Sequence, residues 1–383
     1  MTRVYLDHNA TTPLRPEARA AVVAALDLGG NASAVHREGR QARRMIEEAR
    51  SAVARLVGGD PRCVTFTSGG SEAAATLLSP QFVGRNEARG PFARLIVSAV
   101  EHSCVLAGGR FAADAVVTCP VDGTGRVDLA ALDALLKEGG PALVTVMAAN
   151  NETGVIQPLT EVAALCRARG AGFIVDAVQA AGKLPLDMTE CGCDALFLSG
   201  HKIGAPQGVG AIVTAAESVT FPPLVRGGGQ EGRRRAGTEN LPGIVGLGAA
   251  AAAVAEGGLA DMQRLASLRD WMEGEVRTIS GSSRIIGLPA GRLANTSLTV
   301  HPGLEGETLV IALDLAGMAV STGSACASGK IAPSHVLAAM GVTGNEARSA
   351  LRVSLGWTTT REDVERFVAA YAAHVRKIAA RAA

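Results

Sequence analysis

Gly172-Phe173-Ile174-Val175-Asp176-Ala177-Val178-Gln179 and, one unit further on, Ala195-Leu196-Phe197-Leu198-Ser199-Gly200-His201-Lys202 decide the fold of this chain. Each opens on an apolar run of strand length and ends in polar groups. A strand apolar at every position is buried on both faces, the mark of a parallel sheet between helices. A carboxylate closing such a strand, as Asp176 does, needs a partner, because desolvation alone drives it to neutrality. A lysine placed like Lys202 is partly desolvated, which lowers an amine's pKa and suits Schiff-base chemistry.

Working outward, Val64–Thr67, 95–99, 115–119, 143–147 and Gly210–Thr214 are further short apolar or β-branched runs, separated by helical patterns. A polar start and a charged helix over 35–56 precede them. A Gly- and Arg-rich stretch, 226–240, follows, and then a long Ala-rich helix from about Pro242. Strands at Thr296–Val300 and 352–355 fall in the remainder. The pattern predicts an α/β protein with a large, mainly parallel-sheet domain over 14–250. A smaller α/β domain is expected from 1–13 and 251–383.

Composition narrows the function. In 383 residues, 48% are hydrophobic and 19% charged, enough apolar mass for a large core and too much for disorder. A net charge of +1 offers no basic footprint for nucleic acid. The seven cysteines are odd in number and scattered, which excludes a disulfide framework and points to a reducing compartment. Cys191 and Cys193 lack a second pair for a zinc site, so no resident metal is expected. A motif beginning at Tyr5 leaves no room for a secretory signal, and the uncharged run 244–255 is too short for a bilayer. The expectation is a soluble, cytoplasmic protein.

Polar clusters recur at strand ends, where open α/β sheets bind ligands. Thr67-Ser68-Gly69-Gly70-Ser71-Glu72 leads from a strand into a helix and could cradle an anion on backbone N–H groups. It is not a Walker loop, since no Gly-Lys-Ser/Thr follows. Glu101-His102, Asn150-Asn151-Glu152-Thr153-Gly154, Asp176 with Gln179, and Ser199-Gly200-His201-Lys202 complete the set. A lysine, an acid for a pyridinium nitrogen and a phosphate cradle are what pyridoxal 5′-phosphate (PLP) requires.

With these residues assembled, the chain resembles the cysteine desulfurases of the NifS/IscS type, a branch of the class V aminotransferase-like PLP enzymes. The resemblance rests on Tyr5-Leu6-Asp7-His8-Asn9-Ala10-Thr11-Thr12-Pro13, Asn31 to Arg40, the cluster at 150–154, Asp176 to Gln179 and Ser199 to Lys202. It continues through Gly227 to Glu231, Arg235 to Asn240 and Ser321-Thr322-Gly323-Ser324-Ala325-Cys326. It implies a PLP-dependent transferase fold of type I and conversion of L-cysteine to L-alanine, with the sulfur held on Cys326 as a persulfide. By the same resemblance Lys202 holds PLP, Asp176 pairs with the ring nitrogen, and His102 stacks on the ring and moves protons. Asn151 and Gln179 serve the phenolic oxygen and its surroundings. Gly70, Ser71, Ser199 and His201 hold the phosphate, with Thr238 reaching across from the second subunit of a homodimer. Arg352 clamps the substrate carboxylate, with Asn31 nearby.

Cys326 separates this reading from its rivals. It stands among Ser, Ala and Gly, an odd setting for a core cysteine, and in a run that could carry a persulfide outward to an acceptor such as an iron–sulfur scaffold. There it could also serve as a transient cluster ligand. A class V aminotransferase or a selenocysteine lyase explains the run 321–326 less well, and intact Lys202 and Cys326 argue against a catalytically silent scaffold. Two departures from the family stand out: Ala73-Ala74-Ala75 replaces a stretch usually carrying two asparagines, and Trp357 stands where Gly-Arg is common.

Overall fold

The computed structural model describes residues 3–85, 90–323 and 334–382. Twelve strands occur among them: β1 (Val4–Tyr5), β2 (Val64–Thr67), β3 (Arg94–Ser98), β4 (Val116–Cys119), β5 (Ala142–Met147), β6 (Gly172–Asp176), β7 (Ala195–Ser199), β8 (Gly210–Thr214), β9 (Arg284–Ile285), β10 (Thr296–Val300), β11 (Met318–Ala319) and β12 (Ala350–Ser354). Seven form one sheet in the order β2-β8-β7-β6-β5-β3-β4. It is mainly parallel, and β8 alone runs against both neighbours.

Every residue of β5, β6, β7 and β8 is buried. Period-2 alternation sends their side chains to two separate cores. Leu143, Ile174, Phe197 and Ile212 pack with Ala73, Ala74 and Leu77 of the helix Gly70–Leu77. Val144, Phe173, Val175, Leu196 and Val213 pack on the opposite face with Ile46 and Leu247. Each such side chain contributes about 1.5–3 kcal/mol, so cutting Phe197 back to Ala costs about 3–5 kcal/mol.

The helix Leu241–Ile279 ties this layer to the rest. Asn240 caps it, accepting the Gly243 N–H through Oδ1. Its first half runs along the helices Pro16–Leu28 and Arg37–Leu56. A Cβ at Gly248 would come within 2.4 Å of the Ala49 Cα, so glycine is what lets the two backbones approach. Its second half delivers Leu265, Leu268, Met272 and Val276 to a core with Val4, Leu6, Val353, Phe367 and Tyr371. The apolar stretch of this helix is longer than the sequence suggested. Leu241–Gly258 has the length and composition to cross a bilayer, but Ile244, Leu247, Ala250, Ala251 and Val254 are buried in the protein core.

Other boundaries shift by a residue or two. The charged helix starts at Arg37 because His36 caps it, accepting the Gly39 N–H. Ala115 closes a 3₁₀ turn ahead of β4, and the last long strand begins at Ala350 and ends at Ser354.

One edge of the large sheet is finished by side chains. Glu231, in the Gly- and Arg-rich stretch, accepts the Phe66 N–H of β2 at 2.8 Å. Arg50 donates to the Val64 carbonyl at 2.9 Å and pairs with both Glu231 oxygens at 2.8 Å.

Candidate active site

The order of strands reverses between β3 and β5: the chain steps outward from β3 to β4, then returns to lay β5 on the other side of β3. The crevice beyond the carboxyl ends at such a reversal is where ligands bind. A cavity of about 390 Å³ lies there, lined by Gly70, Ser71, His102, Asn151, Asp176, Gln179, Ser199, His201, Lys202 and Arg352. Ten of the thirteen residues singled out from the sequence therefore converge. Asn31 and Thr238 are exposed and do not line the cavity; Asn31 Oδ1 accepts the Ser33 N–H. Cys326 lies outside the described residues.

At the cavity floor, Asp176 ends β6 and accepts the Val178 N–H at 2.8 Å. Burial raises its carboxyl to about 6, against the pull of that hydrogen bond and of Lys202. Lys202 follows β7 in a short 3₁₀ turn, and its Nζ donates to the carbonyls of Asn9 and Ala10, each at 2.7 Å. His102 caps the helix Ser103–Leu106: its Nδ1 accepts the Cys104 N–H, which makes Nε2 the proton-bearing nitrogen. Burial and the Lys202 charge lower its pKa, so the ring is neutral near pH 7. His201 is held at Nδ1 by Thr11, and burial lowers it to about 4. Arg352 reaches up from β12, giving Nη2 to Asp7 at 2.7 Å and Nη1 to the Asn151 carbonyl at 3.1 Å. Its Nε is buried with no hydrogen-bond partner among the described residues.

Comparison with known proteins gives this geometry a family. The aminotransferase class-V model matches residues 4–367. The cysteine desulfurase of Rhodobacter capsulatus is 43% identical over 375 residues, covering 96% of this chain and 94% of that protein. That of Cereibacter sphaeroides is 44% identical over 374 residues, with the same coverage of 96% and 94%. A NifS-like protein from Rickettsia africae superposes with a TM-score of 0.88 at 32% identity, covering 98% and 99% of the two chains.

This chain belongs to the cysteine desulfurases. Its fold is that of type I PLP-dependent enzymes, as the resemblance implied.

The family works with PLP, and the desulfurase cavity fits that group. Gly69, with φ at 151°, caps the helix Gly70–Leu77 without a side chain, and a Cβ on Gly70 would press on Val178 at 3.1 Å. That leaves helix N–H groups and the Ser71 and Ser199 hydroxyls for a phosphate. The raised Asp176 carboxyl is a buried acid awaiting a cationic N–H. The unpartnered Arg352 Nε is a donor awaiting a carboxylate.

The family departures are accommodated by packing and contacts in the desulfurase. Ala73 and Ala74 are wholly buried in the apolar core beneath β7, and neither lines the cavity. Trp357 donates Nε1–H to the Pro13 carbonyl, and Arg15 stacks on its ring at 5.2 Å.

Several residues of the site were not legible beforehand. Asp7, Asn9 and Lys183 reach it through partners far away in sequence. Cys104 also lines the cavity, its Sγ 3.1 Å from His102 Nδ1. Burial, then the Asp176 charge, push that thiol up to about 12, so it stays protonated and unreactive. Its signal was its place two residues past His102.

Proposed function

We propose that this chain binds PLP at Lys202 and moves the sulfur of L-cysteine onto Cys326 as a persulfide, leaving L-alanine. The observation that carries the proposal is the convergence of Lys202, Asp176, His102 and Arg352 on one cavity beyond the ends of β3, β6 and β7, with Arg352 coming from the middle of β12. When bound, PLP supplies an electron sink that weakens the bonds around the substrate's α-carbon.

The remaining chemistry belongs to side chains. Lys202 Nζ is the amine that holds the cofactor. Asp176 Oδ keeps a proton on the ring nitrogen, a role for which burial has excluded competing water. Gly70, Ser71, Ser199 and His201 anchor the phosphate. Asn151 and Gln179 serve the ring's oxygen face. Arg352 binds the substrate carboxylate through its spare N–H capacity. His102 Nε2 would give and take protons at the substrate. In the sulfur step the Cys326 sulfur bonds to the substrate sulfur, the substrate's Cβ–S bond breaks, and its electron pair stays with the carbon skeleton. Proton return then completes alanine.

Two flanking contacts support Cys326 as acceptor. Ser321 bridges to Arg352 in the cavity wall, and His335 Nε2 meets the Glu101 carbonyl at 2.9 Å, next to His102. Cys104, the thiol that lines the cavity among the described residues, is too basic to compete. Exposed Thr238 and Asn31 favour a homodimer in which Thr238 serves the partner's phosphate. The free cysteines suit the cytoplasm, and an acceptor such as an iron–sulfur scaffold protein would collect the persulfide.

Cys326→Ser tests the proposal. A hydroxyl is almost fully protonated near neutral pH and is a poor nucleophile. Cysteine should still change the visible spectrum of the loaded protein, while alanine and sulfide production fall to background. Sustained alanine formation would show that Cys326 is not the acceptor.

A further inference from the structure

Lys183 is a second lysine next to the cavity, half-buried, bonded to the lining residues Gln179 and Asn9, and with no part in the chemistry above. Its Nζ donates to Gln179 Oε1 at 2.6 Å and to Asn9 Oδ1 at 2.9 Å. Gln179 in turn donates Nε2–H to the Asn9 carbonyl at 3.0 Å, the same oxygen that receives Lys202 Nζ at 2.7 Å. Two lysines thus meet on one asparagine, Lys183 at its side chain and Lys202 at its backbone.

The donors and acceptors leave one arrangement. A backbone carbonyl only accepts, so the Gln179 nitrogen must face Asn9; a lysine Nζ bonded to two oxygens is donating to both, so the Gln179 oxygen must face Lys183. Asn9 is fixed in the same way. Its Oδ1 takes Lys183 and the Asn295 amide, and its Nδ2 donates to the Asn151 carbonyl and Thr296 Oγ1. Remove Lys183 and two buried acceptors lose a donor on either side of Lys202, a loss that loosens both amides.

We infer that Lys183 is a positioning residue that fixes the Gln179 and Asn9 amides and, through them, sets the protonation of the nitrogen at Lys202. The inference rests on the reading that Lys202 carries PLP with Gln179 beside the ring oxygen. The charged groups around Lys183 are Lys202 and Arg352, with His8 close by and held neutral by burial. Arg15 and Asp261 stand on the wall of one further cavity that Lys183 borders, and Arg55, Asp187, Glu190 and Arg292 on the wall of another. Burial lowers the Lys183 ammonium well below the usual lysine range, and Lys202 and Arg352 add to that. A group so placed acts first as a hydrogen-bond donor, whichever charge it carries.

The test is a pH titration of the visible absorption band of the PLP-loaded protein. Lys183→Met, which removes the donor, should move the midpoint upward by about one pH unit, since the freed amides favour a protonated nitrogen. Lys183→Gln keeps a donor without a charge and should titrate near wild type. In a Gln179→Leu background, Lys183→Met should add little, because residues acting through one another are not additive. An unchanged midpoint in Lys183→Met overturns the inference. So does an equal shift in both backgrounds, or a Lys183→Gln midpoint that moves as far as Lys183→Met, either of which would assign a direct charge effect. Should Lys183→Met not yield folded protein, Lys183→Leu takes its place, with the same upward shift expected and an unchanged midpoint overturning the inference. A wild-type protein with no borohydride-sensitive band would sink the PLP reading itself, a failure visible before any variant is made.

Discussion

The floor of the cavity and its rim are built on opposite principles. Asp176, Lys202 and Gln179 sit at the ends of fully buried strands or within a turn of them, and each has its polar atoms tied to backbone or amide partners of the same chain. Asn31 and Thr238 are exposed, on stretches without regular structure. The difference teaches that chemistry needing a fixed proton or a fixed amine is placed where packing determines position. Groups that the proposed second subunit would have to reach are left at the surface.

The comparison breaks most decisively at Lys202. Lys202→Ala should abolish the borohydride-sensitive band and all turnover, because Lys183 is held by Gln179 and Asn9 and cannot take its place. A surviving band would mean that the floor tolerates substitution as the rim does. Next in size is Asp176→Asn. PLP should still bind, but the rate should fall by about 100-fold or more, at tenfold for each ~1.4 kcal/mol added to the barrier. Turnover within a few-fold of wild type would remove Asp176 from the mechanism.

The rim should yield smaller effects. Thr238→Ala should weaken PLP retention by about tenfold, the worth of one hydrogen bond to a charged oxygen, and only while the protein is dimeric. Equilibrium dialysis across a dilution series, read beside sedimentation, checks this; a loss independent of association would place Thr238 in its own subunit's site. The smallest effect concerns Glu101, wholly buried behind His102, its Oε1 bonded to Ser98 and to the Met147 N–H. Burial, then the Asp176 charge, raise its carboxyl to about 8. Folding therefore takes up a proton, so the stabilisation is full below the ordinary carboxyl pKa and is lost as pH rises toward 8. Glu101→Gln cannot ionise, and its melting temperature relative to wild type should climb through that window. A flat difference between pH 5 and 9 would contradict the raised carboxyl.

Much of the floor was legible because its signals are local. β2, β8 and β10 match the sequence reading to the residue, each a short apolar or β-branched run with turn residues at its ends. Asp176 and Lys202 announced themselves as charges closing such runs. The two-residue strands β1, β9 and β11 had no such pattern, since they exist only through pairing with distant partners. The same reason hid Asn9 and Asp7: their partners Thr296 and Arg352 lie 287 and 345 residues away, and hydrogen bonds at that range leave no periodicity. Lys183 was obscured differently, by an Ala-rich neighbourhood that reads as packing.

Away from the catalytic cavity, the plug on β2 has a consequence for the life of the molecule in a crowded cell. An edge strand with a free amide and a free carbonyl is a template for another chain. Here a carboxylate from Glu231 and a guanidinium from Arg50 supply what an incoming strand would have offered, one acceptor and one donor, and then neutralise each other. The sheet is thus terminated by a two-residue imitation of its missing neighbour, a stopper that satisfies the last strand without offering a next one.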